Sequence, residues 1–407
     1  MRIGMMADIY TPHVSGVTTH IALIKRTLER AGHEVFVFTF GHEQFHDAEP
    51  NVWRSPGLPV SNTGFSFGWR HTPEIRRLIR SMDLLHVHHP FVSGQLALRY
   101  AVPLGVPVVF TNHTRYDLYA QYYVPAFPEI LTTAVLQAYL ASFCRECSLV
   151  IAPSAGLCQV LRNLGVKSAI EIVPNGIELA PFREATPDQL KDRLGLSEKT
   201  VLAVYVGRLG PEKNLAFLLR AFRGVAAACP RVHLALVGEG PERDNLEDQA
   251  HQGGLEGRVH FLGQIGYEDL PRYLRAADFF VTASVSEVHP LTITEGMAAG
   301  LPAVGIASPG VGDLIEHERN GLLADNDLGA FTAMVTRMAG DAELRQRLRL
   351  GAMETAGRYG IEVTVAHLLN FYEILCQAGR RNQRSSRRRT RAPRRERLSP
   401  ESRETQR

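Results

Sequence analysis

No run of about 18 or more consecutive apolar residues occurs in this chain, which excludes a membrane-spanning helix. Cysteine is scarce, with 5 in 407 residues. An odd number in a long chain argues against a disulfide framework and for a reducing, cytoplasmic setting. Met1 to Ala7 lead straight into a strand-like segment with no cleavage site, so no signal peptide is expected. There is no Gly-Lys-Ser/Thr, hence no Walker loop, and Gly238-Glu239-Gly240-Pro241 lacks the third glycine of a dinucleotide fingerprint. Proline and serine are not in excess, and no repeat of solenoid period is visible.

What is present is an ordinary globular composition, 45% hydrophobic and 21% charged, long enough for two domains with separate cores. The net charge of +3 hides an asymmetry: Arg380–Arg407 holds twelve Arg and three Glu, a net +9, which leaves −6 for the rest. With almost no apolar residues, residues 380–407 are expected to be a disordered polybasic tail. Attraction to an anionic lipid surface, attraction to nucleic acid, and mere solubility all remain open readings of it.

Short apolar runs alternate with helix-length amphipathic ones, the pattern of a parallel α/β sheet. Strands are expected at Arg2–Ala7, Glu34–Thr39, Leu84–His88, Val106–Thr111, Leu149–Ala152 and Ile170–Val173. Helices are expected at Thr18–Ala31 and, from a serine cap, Ser154–Leu164. After the Pro174-Asn175-Gly176 break a second series begins: strands Val201–Gly207, Val232–Gly238, Val259–Leu262, Phe279–Thr282 and Pro302–Ile306. Between them lie helical patterns at Asn214–Ala228, Pro241–Gly253 and Tyr267–Ala277. Two such series suggest two Rossmann-like, doubly wound domains, residues 1–178 and 179–358, with a helix at 359–379 crossing back to the first. Ligands of such sheets bind beyond the carboxyl ends of the strands, and here that means the cleft between domains.

The most informative segment is Ala283–Gly300. Pro290 suits a first helical position, leaving the N–H groups of Leu291 and Thr292 free at the positive end of a helix dipole, where a phosphate can bind. Glu287 and Glu295 flank that end with seven residues between them. An acid beside a phosphate repels it unless it has another partner, and a carboxylate accepts bidentately from neighbouring hydroxyls. Phosphate between two diols describes a nucleotide-sugar. The plainer alternative is a capping acid and a solvated helix acid. Val201–Asn214 adds Arg208 at a strand tip and Lys213 before a helix, a fork and a point charge suited to a diphosphate leaving group. Near the N-terminus, His13-Val14-Ser15-Gly16-Val17 opens a helix containing His20, and Gly16 permits close approach of backbone to a ligand, though taken alone this segment is better read as an ordinary strand–helix turn.

Taken in order, Gly16-Val17-x-x-His20, Gly207-Arg208-x4-Lys213, Glu287-x7-Glu295 and Gly-Met-Ala-Ala-Gly at 296–300 resemble the retaining glycosyltransferases of family 4, which have the GT-B fold. Pro174-Asn175-Gly176-Ile177 resembles that family's interdomain link, and the match spans roughly residues 1–378. Within the family, His88-His89-Pro90-Phe91 with His113-Thr114-Arg115-Tyr116 is similar to the bacterial diacylglycerol glucosyltransferases. The resemblance implies a cytoplasmic enzyme, peripheral at the inner face of the plasma membrane. Its donor would be a UDP-sugar rather than a GDP-sugar, with no cofactor, and residues 179–358 would hold it. Arg208 and Lys213 would neutralise the diphosphate, Glu295 would hold the ribose, Glu287 the sugar, and Gly16 would lie against the phosphates. His113 would lie at the sugar, and His289, Pro290, Leu291 and Thr292 would complete the donor site. His113, Arg208, Lys213 and Glu287 form the implied catalytic set. Two positions depart from the pattern: Gly296 stands where alanine is common, and His289 is a variable donor contact.

His86, His88 and His89 invite a metal reading, but no acid or histidine at fixed spacing accompanies them, so no metal is expected. No Asp-x-Asp stands near the phosphate pocket, which fits transfer without a metal bridge. Cys144 and Cys147 read as two buried small residues. On the acceptor side, Phe65, Phe67 and Trp69 precede the basic helical run with Arg76, Arg77 and Arg80, and Tyr116, Tyr119, Tyr122 and Tyr123 could line the same entrance. This suits an anionic bilayer and a lipid acceptor, diacylglycerol in the first instance; ordinary core packing with solvated arginines is the alternative. Competing functions are transfer to a soluble sugar, sugar phosphate or polysaccharide; a nucleotide-sugar epimerase; and a nucleic-acid-associated or scaffold protein acting through its tail. The intact acids and cations argue against the last of these.

Overall fold

The computed structural model describes residues 1–41, 45, 47, 49–59, 66–118 and 129–390. Two parallel sheets form the frame. The first contains β1 (Arg2–Met6), β2 (Glu34–Gly41), β3 (Val52–Pro56), β6 (Leu84–Val87), β7 (Val108–Thr111), β8 (Leu149–Ala152) and β9 (Ile170–Ile172), in the order β3-β2-β1-β6-β7-β8-β9. A short antiparallel pair, β4 (Leu58–Pro59) and β5 (Ser66–Phe67), stands beside it. The second sheet contains β10 (Val201–Val206), β11 (Val232–Val237), β12 (Val259–Gly263), β13 (Phe279–Val281), β14 (Ala303–Ile306) and β15 (Gly321–Ala324), in the order β12-β11-β10-β13-β14-β15.

Both faces of each sheet are covered, which is why these strands read as unbroken apolar runs. Along β2, Phe36, Phe38 and Phe40 enter one core with Leu85, Phe110 and Val150. Val35 and Val37 enter the opposite core with Ile3, Met5 and Val109. The second sheet divides likewise: Tyr205, Leu234, Leu236 and Phe279 face one side, and Leu202, Val204, Ala235 and Phe280 the other. Burial of each such large side chain contributes about 1.5–3 kcal/mol.

Each sheet reverses its winding once, between β1 and β6 in the first and between β10 and β13 in the second. The crevice outside such a reversal is where open α/β sheets bind ligands. In this chain the loops at the two reversals carry His13 to Gly16 and His88 on one side, Arg208 and Glu287 on the other.

The GT-B architecture expected from the sequence is therefore present, with differences. The edge strand β3 and strand β15 were not anticipated; Arg54 and Pro56 interrupt the first, and the second is only four residues long. Pro290 occupies the cap position with ψ 116°, and the helix begins at Leu291. The last helix runs Ile361–Thr390, so the start of the basic tail is helical where disorder was expected. Its apolar face (Ile361, Val365, Leu368 and Tyr372) is anchored in the core of the first sheet. From that anchored nucleus each further Arg or Gln adds one backbone bond at little cost. Residues 391–407 lie outside the described residues.

Candidate functional site

The loops that follow β10 and β13 are stitched together. Asn214, in the left-handed conformation at φ 57°, donates from Nδ2 to Ala283 O at 3.1 Å. Ser286 Oγ donates to Glu212 O at 2.9 Å. Between these ties Lys213 Nζ lies 2.7 Å from Glu287 Oε1. A further loop presses on Glu287 from behind: Gly310 has φ +84°, and a Cβ there would lie 2.5 Å from Glu287 O. Arg208 stands exposed at the tip of β10, its carbonyl accepting from Tyr205 Oη at 3.1 Å.

The helix Leu291–Ala298 has no side-chain cap and no acid in its first turn. Its leading N–H groups, those of Leu291 and Thr292, thus remain donors for a ligand. Gly296 lets this helix lie on the sheet, since a Cβ there would come within 3.1 Å of the Phe280 ring. Glu295 is buried, and burial raises its carboxyl to about 7, partly offset by the neighbouring Tyr267 hydroxyl. A carboxylate held this dry gains strongly from any hydroxyl that reaches it.

The facing wall is built of histidines. The helix Gly16–Arg30 starts on a Ser15 cap whose Oγ accepts from Thr18 N at 3.2 Å. Its first two turns place Gly16 at the surface, where an added Cβ would meet nothing within 4 Å, and bury His20. His88 Nδ1 and His113 Nε2 lie 3.0 Å apart with their rings stacked, and the His20 ring stands edge-on to His113 at 4.9 Å. Burial holds all three imidazoles below the usual histidine range, His20 at about 3. His86 is committed elsewhere: Nε2 meets Thr111 Oγ1 at 2.7 Å and Nδ1 meets Tyr372 Oη at 2.6 Å.

The two walls interact across the cleft. The charge of Arg208 depresses His13, and His289 depresses His20, although burial is the larger cause in each case. His289 is buried with neither ring nitrogen partnered, and its carbonyl accepts from Asn175 Nδ2 at 3.1 Å. Asn175 belongs to the first crossing between sheets, which runs beside the second: Ile177 and Ile361 exchange backbone bonds with Tyr359 and Ile177 at 2.9 Å. Asp313 clasps the same seam, accepting from Gly156 N at 3.0 Å and Gly310 N at 3.1 Å.

The sequence-expected donor residues Gly16, His113, Arg208, Lys213, Glu287, His289, Pro290, Leu291, Thr292 and Glu295 all lie on the strand ends or loops that border this cleft or on the helix entering it. Asn175 was read only as part of the interdomain link and Asp313 was missed, because their contacts with His289 and Gly156 close only in the fold. On the acceptor side, Trp69 is 65% exposed beside a groove of about 520 Å³ bordered by Leu58, Arg70 and Arg76. Arg76 and Arg77 lie on the helix Pro73–Ile79 and Arg80 at its end, with Arg77 paired to Glu74 at 3.5 Å. Tyr116 packs edge-on against the half-exposed Phe91 at 5.2 Å. Phe65, Tyr119, Tyr122 and Tyr123 lie outside the described residues, and of Phe67 only the backbone is described. Cys144 and Cys147 are buried and unbridged. Among the described residues no helix is long and apolar enough to cross a membrane.

Residues 14–180 match the model of Glycosyltransferase Family 4, and residues 187–354 that of Glycosyl transferases group 1. The chain is 32% identical to alpha-monoglucosyldiacylglycerol synthase of Streptococcus pneumoniae over 79% of its own length and 75% of that protein's. It is 29% identical to phosphatidyl-myo-inositol mannosyltransferase of Mycolicibacterium smegmatis over 93% of its own length and 95% of that protein's. Among solved structures, Anabaena HepE in complex with UDP and glucose superposes with TM-score 0.73 at 20% identity, covering 92% of this chain and 99% of HepE. The chain belongs to the family 4 glycosyltransferases and has their GT-B fold.

Proposed function

We propose that this protein is a retaining glucosyltransferase that moves glucose from UDP-glucose to diacylglycerol at an anionic membrane surface, without a metal bridge. The observation that supports the donor site most is the tie between loops that sets Lys213 against Glu287 beside the uncapped Leu291 end. On donor binding Lys213 and Arg208 turn to the diphosphate, and the Leu291 and Thr292 N–H groups join them. Glu287, released from Lys213, accepts from glucose hydroxyls, and the buried Glu295 accepts from the ribose diol. Gly16 leaves room for the phosphates on the opposite wall, where His113 meets the sugar.

The bond from the anomeric carbon to the diphosphate breaks, leaving its electron pair on the phosphate oxygen. The acceptor oxygen attacks from the same face and its proton passes to that departing oxygen, so configuration is kept. Most of the rate comes from stabilising the developing diphosphate charge. The lipid acceptor is supported by one relative named for a glucosyl lipid and another named for mannosyl transfer to a phosphatidylinositol, and by Trp69 and the arginines beside the groove. Incubation with UDP-glucose and diacylglycerol in phosphatidylglycerol vesicles should give an α-linked glucosyl lipid by NMR. A β-linked product, or transfer only to soluble sugars, would contradict the proposal.

A further inference from the structure

Three histidines from separate segments converge at the carboxyl edge of the first sheet. His20 comes from the first turns of the helix after β1, His88 from the residue following β6, and His113 from the loop after β7. One ring nitrogen from each lies within 4.8 Å of the others, a grouping of metal-ligand type among the described residues. Four-coordinate zinc with imidazole ligands needs nitrogens roughly 3.3 Å apart, given Zn–N bonds of about 2 Å. His88 Nδ1 and His113 Nε2 already stand at 3.0 Å.

The cluster does not close on itself. Two facing ring nitrogens can share one proton only, and His20 Nδ1 is buried with no hydrogen-bond partner. An unpartnered buried polar atom is costly to the fold. The surroundings also orient the rings: the His86 ring lies 4.2 Å from that of His88 and is itself fixed by Thr111 and Tyr372. This ring contact limits the rotation of His88. His113 is the half-buried member, which gives access from the cleft.

We propose that His20, His88 and His113 form a site for one transition-metal cation of the zinc class, with the fourth position open to the cleft. Three neutral nitrogens and no carboxylate select zinc, cobalt, nickel or copper over magnesium or calcium. If the transfer reaction proposed above holds, an occupied site withdraws His113 from the donor sugar and inhibits; the binding itself does not rest on that reading. Cobalt is the probe, titrated into the untagged full chain and followed by the visible absorption of four-coordinate Co2+.

One equivalent is expected in the wild type, with affinity falling tenfold or more in His20→Gln and His88→Gln. The stacked pair His233 and His260, 3.0 Å apart on the second sheet, is the competing site, and His233→Gln should leave the signal intact. Absence of four-coordinate bands in the wild type overturns the proposal whatever the variants do. So does a signal that disappears in His233→Gln. Should His88→Gln fail to fold by circular dichroism, the wild type, His20→Gln and His233→Gln decide the question.

Discussion

Lys213 Nζ and Glu287 Oε1 lie 2.7 Å apart although 74 positions separate them in the chain. The pair is 17% and 18% exposed, so water screens it little. In the proposed reaction this ion pair is exchanged, Lys213 for a phosphate and Glu287 for a sugar hydroxyl. Lys213→Ala is expected to lower kcat about a hundredfold or more. Thermal unfolding should fall by only a few degrees, because the loops keep the Asn214 and Ser286 ties. Wild-type turnover in this variant would remove Lys213 from the site.

At Glu295 stability and the proposed binding of the donor oppose each other. Its carboxyl rises from 4.5 unfolded to about 7 folded, so the folded state holds the extra proton between those values. Stability from this group is therefore lost as pH climbs through that window, about 3 kcal/mol in all. Glu295→Gln should unfold at a higher temperature than wild type at pH 8 and at the same temperature near pH 4. The same variant should bind UDP at least tenfold more weakly in calorimetry. Equal melting curves at pH 8 would contradict the buried carboxylate.

Gly16 separates room for a ligand from room needed by the fold. Since an added Cβ meets no protein atom within 4 Å, Gly16→Val should melt like the wild type. Its kcat/KM should drop by tenfold or more if phosphates occupy that space. An active Gly16→Val would show that the donor does not come so close.

The proposed membrane face should depend on charge. At about 1 kcal/mol for each arginine near an anionic surface, replacing Arg76, Arg77 and Arg80 by serine should weaken binding to phosphatidylglycerol vesicles roughly a hundredfold. Binding to phosphatidylcholine vesicles should not change. Sedimentation with both vesicle types reads the difference, and equal loss on both would assign the arginines to folding.

Much of this was legible in the chain itself. Parallel strands buried on both faces are continuous apolar runs, so β1, β10 and β13 stand out, and the reversal of strand order beside each carries the chemistry. The spacing of Glu287 and Glu295 around Pro290 is local and therefore visible. Contacts closed by the tertiary fold were not. Attention to His86, His88 and His89 as neighbours in sequence missed that His86 faces Tyr372 while His88 faces His113. Asp313 bonds its near neighbour Gly310 within one loop, but its tie to Gly156 forms only when the two sheets face each other. The basic tail was read by composition alone, which ignores the anchored helix that feeds into it.

A crystal structure with UDP-glucose bound tests the donor site most directly. The diphosphate is expected against the N–H groups of Leu291 and Thr292, with Lys213 drawn away from Glu287 and the ribose hydroxyls on Glu295. Nucleotide bound elsewhere, with the 2.7 Å contact between Lys213 and Glu287 intact, would contradict it.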